Sequence, residues 1–244
     1  MGRRAVVTGA ASGIGRAAAE RLMREGVAVV AVDRDGAGLE PLSDAGATAL
    51  VADLADERDR ELIVAAGDGV DYLVNSAGVI RIKPILECTV EDWRAIFTIN
   101  AEAVFFLCQG IGARMPDGAA IVNLSSTSAK LTSTHEVAIY AASKTTVTSI
   151  TRSFAYAFAP RRIRVNAICP GIVDTPMQDD VLAQVAPLRG LTPEELSEAR
   201  TAAVPLARGS TPDECAGLVW FLLSDEASYM TGQSINFSGG LVTW

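Results

Sequence analysis

The feature that most constrains this chain is the alternation of short apolar runs with segments of helical periodicity from one end to the other. The runs are rich in valine, isoleucine and leucine, which is typical of strands buried on both faces of a parallel sheet. We place them at residues 3–8, 27–32, 47–52, 71–75, 118–125, 162–168 and 233–238. Parallel neighbours need a long crossover, usually a helix, so the pattern indicates repeated βαβ units. The sequence therefore predicts an α/β fold with a doubly wound, mostly parallel seven-stranded sheet and helices on both faces.

The size and charge of the chain limit the remaining possibilities. Its 244 residues are 49% hydrophobic and 20% charged, which suits one large domain over residues 1–244 better than two domains. The formal net charge of −8 opposes binding to nucleic acid or to an anionic membrane surface. We therefore expect a single domain with a small-molecule ligand, and neither a nucleic-acid nor a membrane partner.

Signals for metals and for targeting are weak. The cysteines Cys88, Cys108, Cys169 and Cys215 are widely spaced, with no CxxC pair and no histidine cluster, so we expect buried thiols and no metal site. The first residues lead directly into a strand, and no apolar stretch reaches about 18 residues, so we expect neither a signal peptide nor a membrane span. These observations predict a cytoplasmic protein.

A glycine-rich turn joins the first strand to the first helical segment. In the run GAASGIG, Gly9 permits a tight turn, Gly13 lets the backbone approach a pyrophosphate, and Gly15 allows close packing of helix against strand. The N-terminus of the following helix supplies amide groups and a positive dipole. The spacing GxxxGxG differs from the more familiar GxGxxG, and such a cluster also fits a purely structural turn. Together with the carboxylate that ends the second strand, it predicts a Rossmann-type dinucleotide site.

Carboxylates end the second and third strands. Asp33 is placed to accept hydrogen bonds from both adenosine ribose hydroxyls and to repel a 2′-phosphate, so we expect NAD as the cofactor. The alternative for Asp33 is a turn or capping role. Asp53 either hydrogen-bonds the adenine or caps a helix that begins near Ala55.

A tyrosine and a lysine, Tyr140 and Lys144, have the spacing that places both side chains on one face of a predicted helix. A nearby ammonium lowers the pKa of a tyrosine by roughly one to three units, which would let Tyr140 act as a general base. The alternative is a surface pair without a catalytic role. Upstream, a buried strand delivers Ser126 to the carboxyl edge of the sheet, where its hydroxyl can hydrogen-bond a substrate oxygen.

Six segments in register, spread over most of the chain, resemble the short-chain dehydrogenase/reductase family. They are TGAASGIG at 8–15, NSAG at 75–78, Asn100, Ser126, YAASK at 140–144 and PG at 170–171. The resemblance implies an oxidoreductase that acts on CH–OH groups, with Ser126, Tyr140 and Lys144 in its active site. It further implies that Lys144 holds the nicotinamide ribose. Asn100, in a long helical stretch at 89–115, is implied to help bind a proton-relay water.

The same resemblance implies a set of cofactor-binding residues. The set comprises Gly9, Ser12, Gly13, Ile14, Gly15, Asp33, Arg34, Asp53, Leu54, Asn75, Ala77, Gly78, Tyr140, Lys144, Pro170, Gly171, Ile172 and Thr175. Thr175 could equally be an N-cap ahead of Pro176, and both roles are compatible.

Two positions depart from the family pattern. Ser76 follows Asn75 where a second asparagine is usual. Ser126 lies one residue farther from Tyr140 than the commonest spacing, which leaves Thr127 at the usual distance. We favour Ser126, because it occupies the same place after its strand and an added residue is easily absorbed in the loop that follows.

The substrate is the least determined part of the prediction. Residues 177–206 place prolines and glycine around a short acidic helix, which indicates a mobile substrate lid. Segments in the last third resemble the sugar-alcohol branch of the family, so we predict a polyol or sugar. Alternatives are a small hydroxy acid or sugar acid, a 3-oxoacyl compound, or a non-catalytic NAD-binding protein. Candidate pocket cations are Arg81, Lys83, Lys130 and Arg189, together with His135, and candidate hydroxyl-binding groups are Asn123, Ser125, Ser128, Asp174 and Gln178.

The stretches 89–115 and 140–159 are longer and more apolar than one face of a sheet needs. Family members commonly pair these helices across a two-fold axis. The resemblance therefore implies a homotetramer with 222 symmetry.

Overall fold

The computed structural model describes residues 2–131 and 134–244, and these form a sheet of seven strands. The strands are β1 (Arg4–Thr8), β2 (Ala28–Asp33), β3 (Thr48–Val51), β4 (Tyr72–Asn75), β5 (Ala120–Leu124), β6 (Arg164–Pro170) and β7 (Ser234–Phe237). Their order is β3-β2-β1-β4-β5-β6-β7, and each described pair is parallel. The predicted doubly wound seven-stranded sheet is confirmed, and it is parallel throughout the described residues.

The strands are connected by helices, as the alternating pattern predicts. These are α1 (Gly13–Arg24), α2 (Gly36–Asp44), α3 (Glu57–Ala66), α4 (Val90–Phe97), α5 (Ala103–Gly112), α6 (Ala138–Phe158), α7 (Pro176–Leu188), α8 (Pro193–Ala202) and α9 (Pro212–Leu223). Strand β6 starts two residues later than predicted, because Arg162 adopts a left-handed φ of 56° at the end of the preceding helical turn.

Alternate side chains of the central strands enter two separate cores. Val7 and Val74 pack in the core that includes Leu22 of α1 and Val219 of α9. Their strand neighbours Val6 and Leu73 belong to a second core that includes residues of α3, α5 and α6. Because successive strand side chains point to opposite faces, both faces of the sheet must be apolar and covered by helices. The resulting layers leave the carboxyl ends of the strands free to build a site.

The predicted helix at 89–115 is interrupted in its middle. A π-helical turn, Thr98–Glu102, separates α4 from α5 and contains the buried Asn100. Together, α4, the π turn and α5 form a helical run, Val90–Gly112, that is long and apolar enough to cross a membrane by length and composition. Half of its most apolar 18-residue segment is buried inside the protein. Its buried side chains, including Ile96, Val104 and Leu107, face the interior. That burial is typical of a core helix in an α/β layer.

Residues 177–206 contain two helices where the sequence predicts one short acidic helix. Thr175 and Thr192 each cap a helix whose first residue is proline, a favoured pairing at helix starts. The two helices, α7 and α8, pack together through a small apolar cluster of Val185, Ala186 and Leu196, with Ile82 beside it. This cluster is separate from the two cores that flank the sheet.

Candidate active site

A cavity of 780 Å³ opens at the carboxyl edge of the sheet. The strand order reverses between β1 and β4, and ligands of doubly wound sheets bind in the crevice at such a switch point. With two exceptions, Asn75 and Asn100, each predicted catalytic or cofactor-binding residue lies on the wall. Those on the wall are Gly9, Ser12, Gly13, Ile14, Gly15, Asp33, Arg34, Asp53, Leu54, Ala77, Gly78, Ser126, Tyr140, Lys144, Pro170, Gly171, Ile172 and Thr175.

The glycine turn forms a cradle that side chains would fill. Gly9 has a left-handed φ of 69°, and a Cβ there would lie 2.7 Å from the Cα of Ala77. A Cβ at Gly15 would lie 2.0 Å from the carbonyl oxygen of Gly9, so only glycine lets α1 start this close to β1. Gly13 also has a positive φ, of 53°. This geometry fits a pyrophosphate held by the exposed backbone at the N-terminus of α1.

Carboxylates surround the end of the cavity beside β2 and β3. The two oxygens of Asp33 accept hydrogen bonds from the backbone amides of Ala11 and Asp35, at 3.0 and 3.1 Å. Asp33 therefore fills the alternative turn role while lying on the cavity wall. Since a carboxylate offers about four acceptor positions, it can also accept from ribose hydroxyls. Arg34, which follows Asp33 in the chain and lies on the same wall, carries a positive charge between the negative charges of Asp33 and Asp35.

Asp53 does not cap the helix that follows it. Its carboxylate accepts from the amide of Ala55 at 2.9 Å, forming a turn, and the N-cap of α3 is Asp56. The capping interpretation of Asp53 is therefore wrong, because α3 begins at Glu57, two residues later than predicted. Asp53 remains on the cavity wall.

Tyr140 and Lys144 lie one turn apart on α6, as predicted, and both face the cavity. The Nζ atom of Lys144 is 5.7 Å from the centre of the Tyr140 ring and donates a hydrogen bond to the carbonyl oxygen of Leu124 at 2.8 Å. The hydroxyl of Ser125 donates to the Lys144 carbonyl, also at 2.8 Å. The end of β5 thus fixes the position of the lysine.

The pKa values in this cluster differ from the expectation drawn from sequence. Burial raises the pKa of Tyr140, and a hydrogen bond with Ser126 opposes that rise. Burial also lowers the pKa of Lys144 to about 8. The prediction that the ammonium lowers the pKa of Tyr140 is therefore wrong for the protein alone, because removal of both groups from water dominates.

Ser126 and Thr127, the two candidates for the hydroxyl that holds the substrate oxygen, lie just after the end of β5. Ser126 has an extended backbone and begins the helical turn Thr127–Ala129, and its hydroxyl oxygen accepts from the amide of Ser128 at 3.1 Å. Both side chains line the cavity, and of the two only Ser126 contributes to the pKa of Tyr140, which it lowers. The choice of Ser126 as the residue that holds the substrate oxygen stays a prediction.

Asn100 lies behind the cavity wall rather than on it. Its amide donates to the carbonyl oxygen of Val79 at 2.9 Å and to Ser143 Oγ at 3.0 Å, and its side-chain oxygen accepts from the Val79 amide at 2.8 Å. Ser143 Oγ in turn donates to the Tyr140 carbonyl at 2.7 Å. The side chain of Asn100 therefore joins the segment after β4 to the catalytic helix. Its predicted role toward a proton-relay water stays a prediction.

The side chain of Asn75 lies on the face of the sheet that α5 and α6 cover, and it is not part of the cavity wall. It pairs in register with Asn123 of β5, and its amide donates to the Asn123 side-chain oxygen at 2.8 Å. Asn123, itself a predicted hydroxyl-binding group, donates to Thr151 Oγ1 at 3.0 Å. The adjacent-strand register turns both amides toward each other, which the sequence does not reveal. Instead, Thr8 Oγ1 accepts from the amides of Ser76 and Ala77 and orders the cavity edge.

Thr175 caps α7 by accepting from the Gln178 amide at 3.3 Å, and it lies on the cavity wall beside Gly13. The predicted capping role is thus present. Among the predicted hydroxyl-binding groups, Ser125, Ser128 and Gln178 line the cavity. Asp174 instead lines a separate, smaller cavity between the exit of β6 and α7 and α8.

Most of the predicted pocket cations lie elsewhere. Arg81 and Lys83 both pair with Asp92, at 3.0 and 2.7 Å, and hold the pKa of that carboxyl well below its usual range, with Lys83 the larger cause. Lys130 donates to the carbonyl oxygen of Ser234, and His135 is exposed. None of these four is a cavity residue. Arg189 does line the cavity, and so does Arg200, which the sequence analysis missed.

Comparisons with known proteins agree with this geometry. A family model described as enoyl-(acyl carrier protein) reductase matches residues 9–242. D-threitol dehydrogenase of Mycolicibacterium smegmatis is 38% identical over 98% of this chain and 92% of its own length. The 2-keto-3-deoxy-L-fuconate dehydrogenase of Xanthomonas campestris pv. campestris is 34% identical over 98% of this chain and 80% of its own.

Among solved structures, an actinorhodin polyketide ketoreductase with NADPH gives a TM-score of 0.92 at 34% identity, covering 100% of this chain and 98% of that one. The fold, the family model and these relatives extend over nearly the whole length of the protein. The chain therefore belongs to the short-chain dehydrogenase/reductase family.

Proposed function

We propose that this oxidoreductase uses NAD to interconvert a secondary alcohol and a ketone in a polyol or sugar. One observation carries the proposal: Ser126, Tyr140 and Lys144 lie on the wall of the same cavity as the glycine cradle. A proton-transfer group and a dinucleotide site therefore share one enclosed space. A protein that only binds a dinucleotide has no physical need for this cluster.

In the proposed reaction, Tyr140 moves the proton at the substrate oxygen. It accepts that proton during alcohol oxidation and returns it during ketone reduction. Ser126, on the wall of the same cavity, holds the same substrate oxygen. A hydrogen bond to the Leu124 carbonyl fixes the Nζ atom of Lys144 near the Tyr140 ring, where it can hold the ribose of a bound nicotinamide. A bound nicotinamide supplies the hydride acceptor or donor.

The proposal of NAD over NADP rests on the charges at the adenosine end. Asp33, Asp35 and Asp53 line that part of the cavity against one cation, Arg34. A 2′-phosphate placed there would meet three carboxylates, which disfavour it. Arg34 is the feature that supports NADP, and one structural relative carries NADPH. We give more weight to Asp33, because two backbone amides hold its carboxylate in place.

The proposal of a polyhydroxylated substrate rests on the wall beyond Tyr140. Ser128, Thr134 and Gln178 contribute polar groups to the wall, together with the apolar side chains of Val137 and Val181. Hydroxyls and amides of this kind suit a substrate with several hydroxyl groups. The name of the threitol dehydrogenase relative supports the same class. We further propose that the protein acts in the cytoplasm as one catalytic domain whose segment 177–206 is a mobile lid.

The direct test is oxidation of a panel of secondary alcohols with NAD, followed by NADH absorbance. The panel contains polyols, sugars, sugar acids and simple secondary alcohols at equal concentrations. We expect turnover with at least one polyhydroxylated compound and little with simple alcohols. Turnover restricted to simple alcohols would contradict the substrate class, and no turnover in either direction would contradict the enzyme assignment.

A further inference from the structure

Two arginines face the substrate side of the cavity. Arg189 follows the end of α7, and Arg200 lies in the last turn of α8. Both helices come after β6, on the side of the cavity opposite to Asp33 and the adenosine end. The two guanidinium groups therefore belong to the part of the cavity that a substrate would occupy.

The charge of Arg189 is partly balanced. Its Nη2 lies 3.7 Å from Glu136 Oε2, close enough for a salt bridge but too far for a hydrogen bond. That oxygen of Glu136 is buried and has no hydrogen-bond partner among residues 2–131 and 134–244. A loosely engaged buried carboxylate of this kind can hold an arginine near the cavity and still allow it to turn toward a ligand.

The charge of Arg200 is not balanced by any described residue. Within residues 2–131 and 134–244 its side chain forms neither a salt bridge nor a hydrogen bond, although the residue is half-buried. Burial lowers its pKa, and the charge of Arg189 lowers it further. A guanidinium stays charged at neutral pH, so this position carries an uncompensated positive charge.

The sum of charges indicates which anion fits. Arg189 has Glu136 as a salt-bridge partner, which leaves Arg200 as the one guanidinium of the two without one. Asp180 also lines the cavity, but it is exposed and forms no salt bridge with either guanidinium. One net charge matches a carboxylate, which an arginine binds through two parallel hydrogen bonds. A phosphate dianion would need a further cation, and Arg81 and Lys83, two of the cations predicted for the pocket, are already paired with Asp92.

We propose that Arg200, with Arg189 beside it, forms an anion subsite of the substrate cavity, and that the substrate is a polyhydroxylated carboxylate, a sugar acid. This inference rests on the proposed dehydrogenase function of the same cavity and refines it from a polyol or sugar to its acid. Because both arginines lie on the α7–α8 segment, a bound carboxylate would also attach that segment to the substrate. The subsite would thereby link substrate recognition to closure of the cavity.

The test compares acids with the alditols of the same configuration. The probes are D-gluconate, D-galactonate and D-threonate, each with its alditol, and D-glucitol 6-phosphate as the phosphate probe. We expect kcat/KM for at least one acid to exceed that of its alditol by about tenfold or more. In Arg200→Met this ratio should fall by about tenfold, mainly through KM, and Arg200→Lys should restore part of it.

The matched control is Arg152→Met, because Arg152 is an exposed arginine on α6 outside the cavity, and its ratio should stay that of the wild type. Titration calorimetry of the same acids on the NADH-bound enzyme measures the subsite independently of turnover. The anion subsite would be overturned if kcat/KM for an alditol or for the phosphate exceeded that for every acid. It would also be overturned if the Kd of the acids were the same in Arg200→Met as in the wild type. Turnover of alditols alone would contradict the anion subsite but not the proposed dehydrogenase function. A wild-type protein that does not bind NADH would contradict both the subsite and the dehydrogenase function.

Discussion

The carboxylate of Asp33 is the residue on which cofactor choice depends. Its two oxygens are held by the amides of Ala11 and Asp35, so it cannot turn away from a 2′-phosphate without losing both hydrogen bonds. We predict that kcat/KM with NAD exceeds that with NADP, and that Asp33→Ala reduces this preference by about tenfold or more, equivalent to about 1.4 kcal/mol. Initial rates with both cofactors at saturating substrate provide the measurement. Comparable values for the two cofactors in the wild type would show that Arg34 outweighs Asp33.

The hydroxyl of Ser126 sets the pH at which Tyr140 can act. Burial raises the pKa of Tyr140 and the hydrogen bond with Ser126 opposes that rise, so loss of the hydroxyl raises the pKa further. Alcohol oxidation needs the deprotonated phenol and therefore increases with pH through this pKa. We predict that Ser126→Ala shifts the rising limb of kcat/KM for oxidation to higher pH and lowers kcat by about 10².

Thr127→Ala is the matched control for that measurement, because Thr127 lines the same cavity one residue away. Thr127→Ala should leave the pH dependence of kcat/KM for oxidation the same as in the wild type. A larger loss of kcat in Thr127→Ala than in Ser126→Ala would mean that Thr127 is the hydroxyl that holds the substrate oxygen.

Residues fixed by local geometry were predictable, whereas those fixed by distant partners were not. The glycines of the first turn and the pair on α6 depend only on chain spacing, and the structure places them on the cavity wall as expected. The side chain of Asn75 hydrogen-bonds Asn123, which β5 places opposite it, and Arg81 forms a salt bridge with Asp92. Arg200 could not be predicted from the sequence as a residue of the cavity wall, because its place there depends on how α8 packs against α7.

At the scale of elements, the π turn between α4 and α5 explains how a core helix can serve the site. The sequence predicted one continuous helical stretch at 89–115, and the π turn Thr98–Glu102 lies within it. The turn places Asn100 between Val79 and Ser143, with a hydrogen bond to each. Helices α4 and α5 thereby support the position of Tyr140 without reaching the cavity.

We predict that Asn100→Ala destabilises the protein by about 1–3 kcal/mol, because two partly buried backbone groups of Val79 lose their partner. The variant should also lower kcat, since Ser143 and the Tyr140 carbonyl lose an anchor. Urea unfolding and steady-state kinetics measure the two effects. The exposed Gln109→Ala on α5 is the control. Equal stability and activity of the two variants would show that the π turn has no supporting role.

At the scale of the whole molecule, the outer surface of α4 and α5 carries exposed aromatic side chains. Trp93 and Phe106 expose 47% and 48% of their surface, and Phe105, which packs against Phe106, is also exposed. Exposed apolar patches of this kind mark protein–protein contacts. They support the proposal that these helices pair with a second copy in a homotetramer with 222 symmetry.

We predict that light scattering gives the mass of four chains, and that Phe106→Glu lowers it by placing a charge in the paired surface. Leu62→Glu is the control, because Leu62 is an exposed apolar residue on α3, outside this patch. A monomer mass at all concentrations would refute the assembly, and dissociation by Leu62→Glu alone would place the interface elsewhere.

The central claim is that Tyr140 transfers the proton in a cavity that also binds the nicotinamide cofactor. The most direct measurement is Tyr140→Phe, which keeps the ring and removes only the hydroxyl, assayed for turnover and for NADH binding by fluorescence titration. We predict that turnover falls by at least about 10², as for loss of a general acid–base, while the Kd for NADH stays within about twofold of the wild type. Retained turnover in this variant, with the same substrate and NAD, would contradict the account.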